Sequence, residues 1–230
     1  MRRGAALGAV LLGALLFYGA AHAAPAMQTQ RVIAIKPNGV LVLAEGGNAV
    51  LAGIILPDAA RAQTWLYEHA LQRDISFTAA GEDRYGRLRI HALLASEMLR
   101  AGVAVFYADD SPVPAEWRAA EAVARTAKRG FWAGENAALM PENAAQHVGG
   151  FHVVEGRITR IYEGKSATYL NFGDDWHHDF SIRIDASTRR GMKTFLGALK
   201  TGDNMRVRGG IFEENGPMIR LNHPQNLEQL

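Results

Sequence analysis

The stretch Asp83-Arg84-Tyr85-Gly86-Arg87, together with the run Leu-Arg-Ile-His-Ala-Leu-Leu that follows it, decides the fold of this chain. Polar residues around Gly86 are typical of a turn. The residues on either side of this turn, at 75–79 and 88–94, have the composition of strands. We therefore predict an antiparallel pair of strands joined by this turn.

Three strands are predicted before this pair. Two of them meet at the turn Pro37-Asn38-Gly39, and the third covers residues 49–55. A helix follows at residues 60–71, and two more helices, at residues 96–101 and 114–129, come after the strand pair. Three strands, a helix, two strands and further helices predict a five-stranded oligonucleotide/oligosaccharide-binding (OB) barrel with packed helices.

Three segments in addition to the turn resemble staphylococcal nuclease-like (SNase-like) domains. Leu51-Ala52-Gly53-Ile54-Ile55-Leu56-Pro57-Asp58 is similar to that family's Arg-Leu-x-Gly-Ile-Asp-x-Pro-Glu. Ala-Glu-Ala-Val-Ala-Arg-Thr-Ala-Lys-Arg-Gly-Phe-Trp at residues 120–132 resembles its closing helix, and Arg-Ala-Gly-Val-Ala at 100–104 precedes it in the right order. The resemblance covers residues 31–134 and implies a mainly β fold with α-helices, built on an OB barrel.

The resemblance also implies a catalytic site, but several of its positions hold unsuitable residues. The family hydrolyses phosphodiesters with one Ca²⁺, held by two aspartates, while a glutamate activates water and two arginines bind the phosphate. The aspartate positions fall on Asn38 and Ile55, and the first arginine position falls on Val50. Asp58 stands at the glutamate position, and Arg87 alone matches. The resemblance thus implies a degenerate site with Arg87 and Asp58 as catalytic remnants.

Cofactor and ligand expectations follow from those positions. Because Ca²⁺ takes six to eight oxygen ligands, Asn38 is only a weak metal candidate, and we expect no cofactor unless some Ca²⁺-dependent activity remains. Arg84 and Tyr85 lie beside Arg87 and are candidate binding residues. A concave pocket on which Arg87, Tyr85 and Asp58 converge would indicate a ligand, whereas a pocket filled by Ile55 and Leu56 would indicate a scaffold.

A second β-rich unit is predicted at residues 150–230, after an SNase-like domain at 24–140 and a linker at 141–149. Residues 180–185, 205–208 and 218–221 alternate between apolar and polar side chains. Asn215-Gly216 is typical of a hairpin turn, and residues 189–199 predict a helix. We predict a second, small OB-like barrel, and we expect each unit to fold alone.

Arginines recur on these predicted strands, and we expect them to face outward. They are Arg183, Arg206, Arg208 and Arg220. Together with Tyr169 or Trp176, they would form the arginine and aromatic surface with which OB folds bind single-stranded nucleic acid or glycans. The alternative is an exterior of salt bridges. The loop at residues 174–179, Asp-Asp-Trp-His-His-Asp, is interpreted as a solvated turn rather than a metal site.

The first residues are typical of a cleaved signal peptide over residues 1–23. Arg2 and Arg3 precede an apolar run at 5–17, and Ala21-His22-Ala23 has the small-x-small pattern of a cleavage site. We expect export to the periplasm or the medium of a bacterium, with no stable membrane insertion after cleavage. An uncleaved membrane anchor is the alternative.

Composition limits the classes of function. Arg2 and Arg3 account for the whole excess of 25 Lys and Arg over 23 Asp and Glu, so the rest of the chain is neutral. A protein that binds duplex nucleic acid through many phosphates normally carries an excess of basic residues. The chain has no cysteine, which excludes disulfide-stapled scaffolds, thiol catalysis and cysteine metal sites.

These observations favour a non-catalytic binding module for nucleic acid, another polymer or a protein partner. A weak Ca²⁺-dependent phosphodiesterase is the enzyme alternative. A structural component of the cell envelope, in which the barrels act only as rigid spacers, is the third.

Overall fold

The structure, a computed structural model, describes residues 26–109, 113–175 and 177–230. The predicted signal peptide at residues 1–23 lies outside the described residues, and so does Trp176. In the described part of the chain, no helix is both long and apolar enough to cross a membrane.

Strands and helices of the first unit follow the predicted order. They are β1 (Met27–Lys36), β2 (Val40–Leu43), β3 (Asn48–Leu51), β4 (Ile54–Ile55), α1 (Ala59–His69), β5 (Asp74–Glu82), β6 (Leu88–Ala92), α2 (Leu93–Ala101), β7 (Val105–Phe106) and α3 (Glu116–Thr126). Strands β1, β2, β3, β6 and β5 close a barrel in that order. Strands β3 and β6 are parallel, and the other neighbours are antiparallel. The predicted five-stranded barrel is confirmed.

Apolar side chains from both strands and helices fill this barrel. Phe77 on β5 and Ile90 on β6 are fully buried, because alternate side chains of each strand face inward. Leu66 on α1 and Met98 on α2 are also fully buried in the same core. Each such side chain contributes about 1.5–3 kcal/mol of transfer free energy.

Helix α2 begins earlier than predicted. The strand predicted at residues 88–94 ends at Ala92, and the helix begins at Leu93 rather than at Ser96. Leu94, Ala95, Met98 and Leu99 are buried at helical spacing, so tertiary packing on the barrel extends the helix over residues that have strand composition. Gly102 ends the helix in a left-handed conformation with φ of 73°.

The second unit is a curled sheet with two short helices. Its elements are β8 (Phe151–Arg157), β9 (Arg160–Glu163), β10 (Ala167–Asn171), β11 (Ser181–Asp185), α4 (Ala186–Arg190), α5 (Lys193–Ala198), β12 (Asn204–Glu213), β13 (Pro217–Arg220) and β14 (Leu227–Gln229). The order is β14-β12-β13-β11-β10-β9, and β8 pairs with β12 along its other edge. Strand β12 pairs first with β14 and then with β13, so the sheet curls around it into an OB-like half-barrel.

The helix predicted at residues 189–199 is wrong as a single element. It is split between α4 and α5, with Gly191 and Met192 in between. Met192 is buried in the core of the second unit, and its φ of −117° is not helical. Burial of the Met192 side chain therefore interrupts a helix that the local sequence would otherwise favour.

The segment between the units is ordered. Residues of the predicted linker form a 3₁₀ helix, Pro141–His147, in which Ala144 is fully buried. Just before it, the backbone N–H of Leu139 donates to the carbonyl of Val153 at 2.8 Å. The division into domains at 24–140 and 150–230 stays a prediction.

The two units share an apolar cluster. Val105, Ala124 and Trp132 of the first unit are buried together with Val153 of the second. Side chains of both units thus exclude water from one contact surface, which positions β12 against helix α3.

Candidate active site

Three of the predicted catalytic positions line one cavity of about 300 Å³. Asn38 follows the end of β1, Val50 lies on β3 and Ile55 on β4. The cavity is lined by Asn38, Gly39, Val50, Leu51, Ile54, Ile55, Leu56 and Ala59. Asn38 contributes the only polar side chain in this lining, so the cavity is apolar where a phosphodiesterase would need charge.

The turn that carries Asn38 requires a left-handed backbone conformation at two successive residues. Asn38 adopts φ of 60° and ψ of 26°, a left-handed conformation that asparagine tolerates better than most residues. Gly39 has φ of 74°, and a Cβ there would lie 2.6 Å from Cδ1 of Leu56. The sequence Pro-Asn-Gly therefore keeps a tight turn beside the cavity and offers an amide oxygen in place of a carboxylate.

Asp58 caps helix α1 and does not line the cavity. One of its carboxylate oxygens accepts the backbone N–H of Arg61 at 3.0 Å, and the other lies 3.7 Å from Nε of the same residue. Capping bonds of this kind stabilise a helix by about 1 kcal/mol. The contacts of Asp58 are therefore those of an N-cap residue that stabilises helix α1.

Arg87 is held by Asp83 within its own turn. Nε of Arg87 donates to Oδ2 of Asp83 at 2.6 Å, and Oδ1 of Asp83 accepts the backbone N–H groups of Tyr85 and Arg87. Burial raises the pKa of Asp83, but these backbone bonds and the Arg87 guanidinium outweigh it and hold the pKa below its usual value. Arg87 thus faces a carboxylate that stays ionised.

Tyr85 is an exposed member of this turn, with 69% of its surface accessible. The guanidinium carbons of Arg87 and Arg84 lie 5.0 and 5.3 Å from its ring centroid, within the range of cation–π contacts. Arg84, Tyr85 and Arg87 therefore form one surface group, separate from the lining of the apolar cavity. The convergence of Arg87, Tyr85 and Asp58 on a concave pocket, expected for a ligand site, is absent from the cavity lining.

The side chains that line the cavity do not supply the oxygen ligands that Ca²⁺ needs. This ion needs several oxygen ligands, usually including carboxylates. The lining supplies one side-chain amide, from Asn38, and Ile55 has no oxygen in its side chain. Across the residues that the structure describes, no group of three or more His, Asp or Glu is placed to hold a metal ion.

The expectation that all four strand arginines face outward is wrong for Arg206 and Arg208. Their side chains are 6% and 1% exposed, respectively. Alternation along β12 is as predicted, since Met205 and Val207 enter the core of the second unit. The opposite face of β12, however, is covered by the first unit rather than by solvent.

Arg208 and Glu121 form a buried ion pair across the two units. Nη1 of Arg208 donates to Oε2 of Glu121 at 2.9 Å, and both side chains are only 1% exposed. The second oxygen of Glu121 accepts the backbone N–H of Phe106 at 2.7 Å. Nη1 of Arg208 also lies 3.3 Å from the carbonyl of Phe106, so the pair is tied to strand β7 as well.

Further charges surround this pair. Arg206 donates to Glu155 at 2.5 Å and to Glu228 at 2.9 Å. Burial raises the pKa of Glu228, but the charges of Arg206 and Arg208 and a hydrogen bond from Arg206 hold it below its usual value. Burial lowers the pKa of Arg118, and the nearby charge of Arg208 adds to that effect.

Arg183 and Arg220 do lie on a partly accessible face of the second unit. Arg183 donates to Asp185 at 2.9 Å and to Glu214 at 3.0 Å, and Arg220 pairs with the other oxygen of Asp185. Burial raises the pKa of Asp185, but the hydrogen bonds from both arginines outweigh it, so the pKa is lowered. Tyr169 lies directly opposite Arg183 in the sheet.

The described residues of the loop at 174–179 are held together by bonds from their own side chains. Asp175 accepts the backbone N–H of His177 at 3.0 Å and lies 2.8 Å from Nδ1 of His178. Oδ2 of Asp179 accepts the backbone N–H of Asp175. These bonds account for the polar composition of the loop.

Sequence reasoning missed two kinds of residue. Glu121 lies within the predicted helix at 114–129 and the segment that resembles the family's closing helix, and nothing in its spacing indicates a partner 87 residues away. Arg160 and Tyr162 line a cavity beside Tyr169, and the alternation Arg-Ile-Tyr at 160–162 is a signal that could have found them.

Comparison with protein families identifies the first unit. Residues 55–134 match the family model described as staphylococcal nuclease homologue. The matched range includes Asp58 and Arg87 and begins at Ile55, so it leaves out Asn38 and Val50. No curated protein matches the chain. Together with the closed barrel, the family match confirms the resemblance to SNase-like domains.

Proposed function

We propose that this protein, since it carries a staphylococcal nuclease-like domain, uses that domain as a non-catalytic frame and acts by binding. The observation that carries the proposal is the apolar cavity. Val50 and Ile55 line it where the family has an arginine and a metal-binding aspartate. Without that charge, neither Ca²⁺ nor the developing negative charge on phosphorus is stabilised.

The expected losses in reaction rate support a complete loss of catalysis rather than a partial one. Removing one preorganised donor typically costs about 10²–10³ in rate. In this chain the donor at Val50 and the metal ligand at Ile55 are absent together. Arg87, the remaining arginine, is bonded to Asp83 at 2.6 Å, which neutralises part of its charge.

The enzyme alternative is a weak Ca²⁺-dependent phosphodiesterase that uses Asn38, Asp58 and Arg87. It would require Asp58 to leave the N-terminus of α1, where it accepts the N–H of Arg61. A purely structural envelope component is the other alternative, and it would bind no soluble ligand at all.

Binding is better supported in the second unit than in the first. The face that carries Tyr169, Arg183 and Arg220 adjoins a cavity, whereas the exposed turn around Tyr85 in the first unit does not line the cavity of that unit. Single-stranded nucleic acid, a glycan and a protein partner are the candidate ligands. The residues typical of a signal peptide at 1–23 support action in the periplasm or outside the cell.

The test of lost catalysis is a cleavage assay with single- and double-stranded DNA at millimolar Ca²⁺. We expect purified protein to cut neither substrate above the background of a mock purification, because Val50 and Ile55 supply no charge. Arg87→Ala is the matched variant, since any cleavage by the family mechanism would depend on this arginine. Cleavage by the wild type that disappears in Arg87→Ala would show that the proposal is wrong and the enzyme alternative right.

A further inference from the structure

A cavity of about 370 Å³ opens on the sheet of the second unit. Its lining comes from strands β9, β10, β11 and β13 and from the turn between β12 and β13. The lining residues are Arg160, Tyr162, Tyr169, Asn171, Ser181, Glu214, Asn215 and Met218. The volume falls in the range of about 300–1,000 Å³ that is usual for small-molecule sites.

Two tyrosines form one wall of this cavity. Tyr162 and Tyr169 are directly opposite each other on β9 and β10. Their ring centroids are 6.3 Å apart and the planes differ by 35°, so the rings follow the twist of the sheet. Tyr162 is 52% exposed. Tyr169 is partly buried and lines the same cavity, so the two neighbouring rings are able to stack against flat units of a ligand.

Polar groups line the floor and the rim. Oγ of Ser181 donates to Oδ1 of Asn171 at 2.8 Å, which turns the N–H groups of the Asn171 amide away from Ser181. At the rim, Asn215 and Gly216 have φ of 53° and 90° in the three-residue turn between β12 and β13, which places Glu214 beside the cavity. The site thus offers neutral donors and acceptors as well as a carboxylate.

The lining holds one arginine, Arg160, and one carboxylate, Glu214, so it offers a polyanion no excess of positive charge. Arg183 and Arg220 are already bonded to Asp185, and Arg183 also to Glu214. A phosphate would have to compete with both carboxylates for these arginines, and Glu214 in the lining would repel it. Sites for single strands normally combine aromatic platforms with a clear excess of basic residues.

We propose that this cavity binds a neutral glycan of β-1,4-linked pyranose rings of the gluco configuration. In such a chain the ring substituents are equatorial, so each sugar presents flat C–H faces that stack on Tyr162 and Tyr169. Its hydroxyl groups bond to Asn171, Arg160 and Glu214, which supply both donors and acceptors. The inference rests on the proposed binding function and adds to it the site and the class of ligand.

The test is calorimetric titration of purified protein with chitotetraose, cellotetraose and a thymidine octanucleotide. We expect at least one of the two tetrasaccharides to bind and the octanucleotide not to bind. Tyr162→Ala and Tyr169→Ala should each weaken glycan binding about tenfold, because one stacked ring is lost. Tyr162→Phe keeps the ring and should bind within about twofold of the wild type.

Tyr67→Ala is the matched control, because Tyr67 is an exposed tyrosine of the first unit, far along the chain from the cavity. It should leave glycan binding unchanged. Failure of both tetrasaccharides to bind, or equal losses in Tyr162→Ala and Tyr67→Ala, would overturn the inference. Binding of the octanucleotide that depends on Tyr162 would overturn the choice of a glycan while leaving the proposed binding function intact. DNA cleavage, measured separately, is the outcome that would overturn the proposed function itself.

Discussion

Replacing Arg208 with alanine is expected to lower the free energy of unfolding by about 3–5 kcal/mol, as for other buried ion pairs from which one partner is removed. Arg208 and Glu121 are each only 1% exposed, and Nη1 lies 2.9 Å from Oε2. Without the guanidinium, Glu121 keeps its bond to the N–H of Phe106 and a longer contact of 3.5 Å with Nη1 of Arg125, but this buried carboxylate loses the shorter of its two ion pairs. Urea denaturation of the purified full chain measures the loss.

Arg31→Ala is the matched control for this prediction. Arg31 pairs with Asp74 at 3.0 Å, but both side chains are more than half exposed. Exposed pairs typically contribute about 0–1 kcal/mol. If Arg208→Ala costs no more than Arg31→Ala, the contact between the two units does not contribute to stability as described.

Replacing Gly102 with alanine is expected to lower the free energy of unfolding by about 2–5 kcal/mol. Gly102 has φ of 73°, and a Cβ there would lie 2.3 Å from the backbone oxygen of Arg129. The left-handed conformation costs an L-residue about 1–2 kcal/mol, and relieving the overlap adds about 1–3 kcal/mol. The N–H of Phe131 also donates to the carbonyl of Gly102 at 2.8 Å, so the two chain segments cannot easily separate.

The variant Gly86→Ala separates the cost of the left-handed conformation from the cost of the steric overlap. Gly86 has a similar φ of 69°, but an added Cβ there would have no atom within 4 Å. It should therefore cost only the conformational part, about 1–2 kcal/mol. Equal losses in the two variants, measured by the same urea titration, would mean that the approach of Gly102 to Arg129 is not as close as described.

The barrel of the first unit could be predicted because its signals are local. Turn residues such as Asn38 and Gly86, and alternation along each strand, do not depend on distant partners. The helices predicted at residues 96–101 and 114–129 end just before Gly102 and Gly130, but the need for glycine at both positions is also tertiary. A Cβ on Gly130 would lie 2.2 Å from the carbonyl oxygen of Gly102, so the two backbones touch.

The candidate site was predicted only in part. Asn38, Val50 and Ile55, three positions at which the resemblance implies catalytic residues, line one cavity, whereas their part in a catalytic site stays a prediction. Arg206 and Arg208 were assigned to the wrong environment. The alternation of apolar residues and arginines at 205–208 shows that Arg206 and Arg208 share a face of β12. It does not show that helix α3 covers that face. Glu121, the partner of Arg208, lies in the first unit, 87 residues away along the chain, and no local sequence pattern indicates this pairing.

The same contacts bear on the expected independence of the two units. Separating residues 24–140 from 150–230 would expose the cluster of Val105, Trp132 and Val153. It would also leave Glu121 without Arg208. Independent folding stays a prediction, and these contacts oppose it.

Thermal melting with and without Ca²⁺ tests most directly the claim that the SNase-like domain has lost its metal site. A native-state ligand at a hundredfold excess over its dissociation constant stabilises by about 2.7 kcal/mol, or about 5–10 °C for a protein of this size. The double variant Asn38→Asp/Ile55→Asp is the comparison, since it returns both carboxylates to the cavity. We expect no saturable rise in Tm for the wild type and a Ca²⁺-dependent rise for the variant. A saturable rise in the wild type itself, reversed by a chelator, would contradict the account.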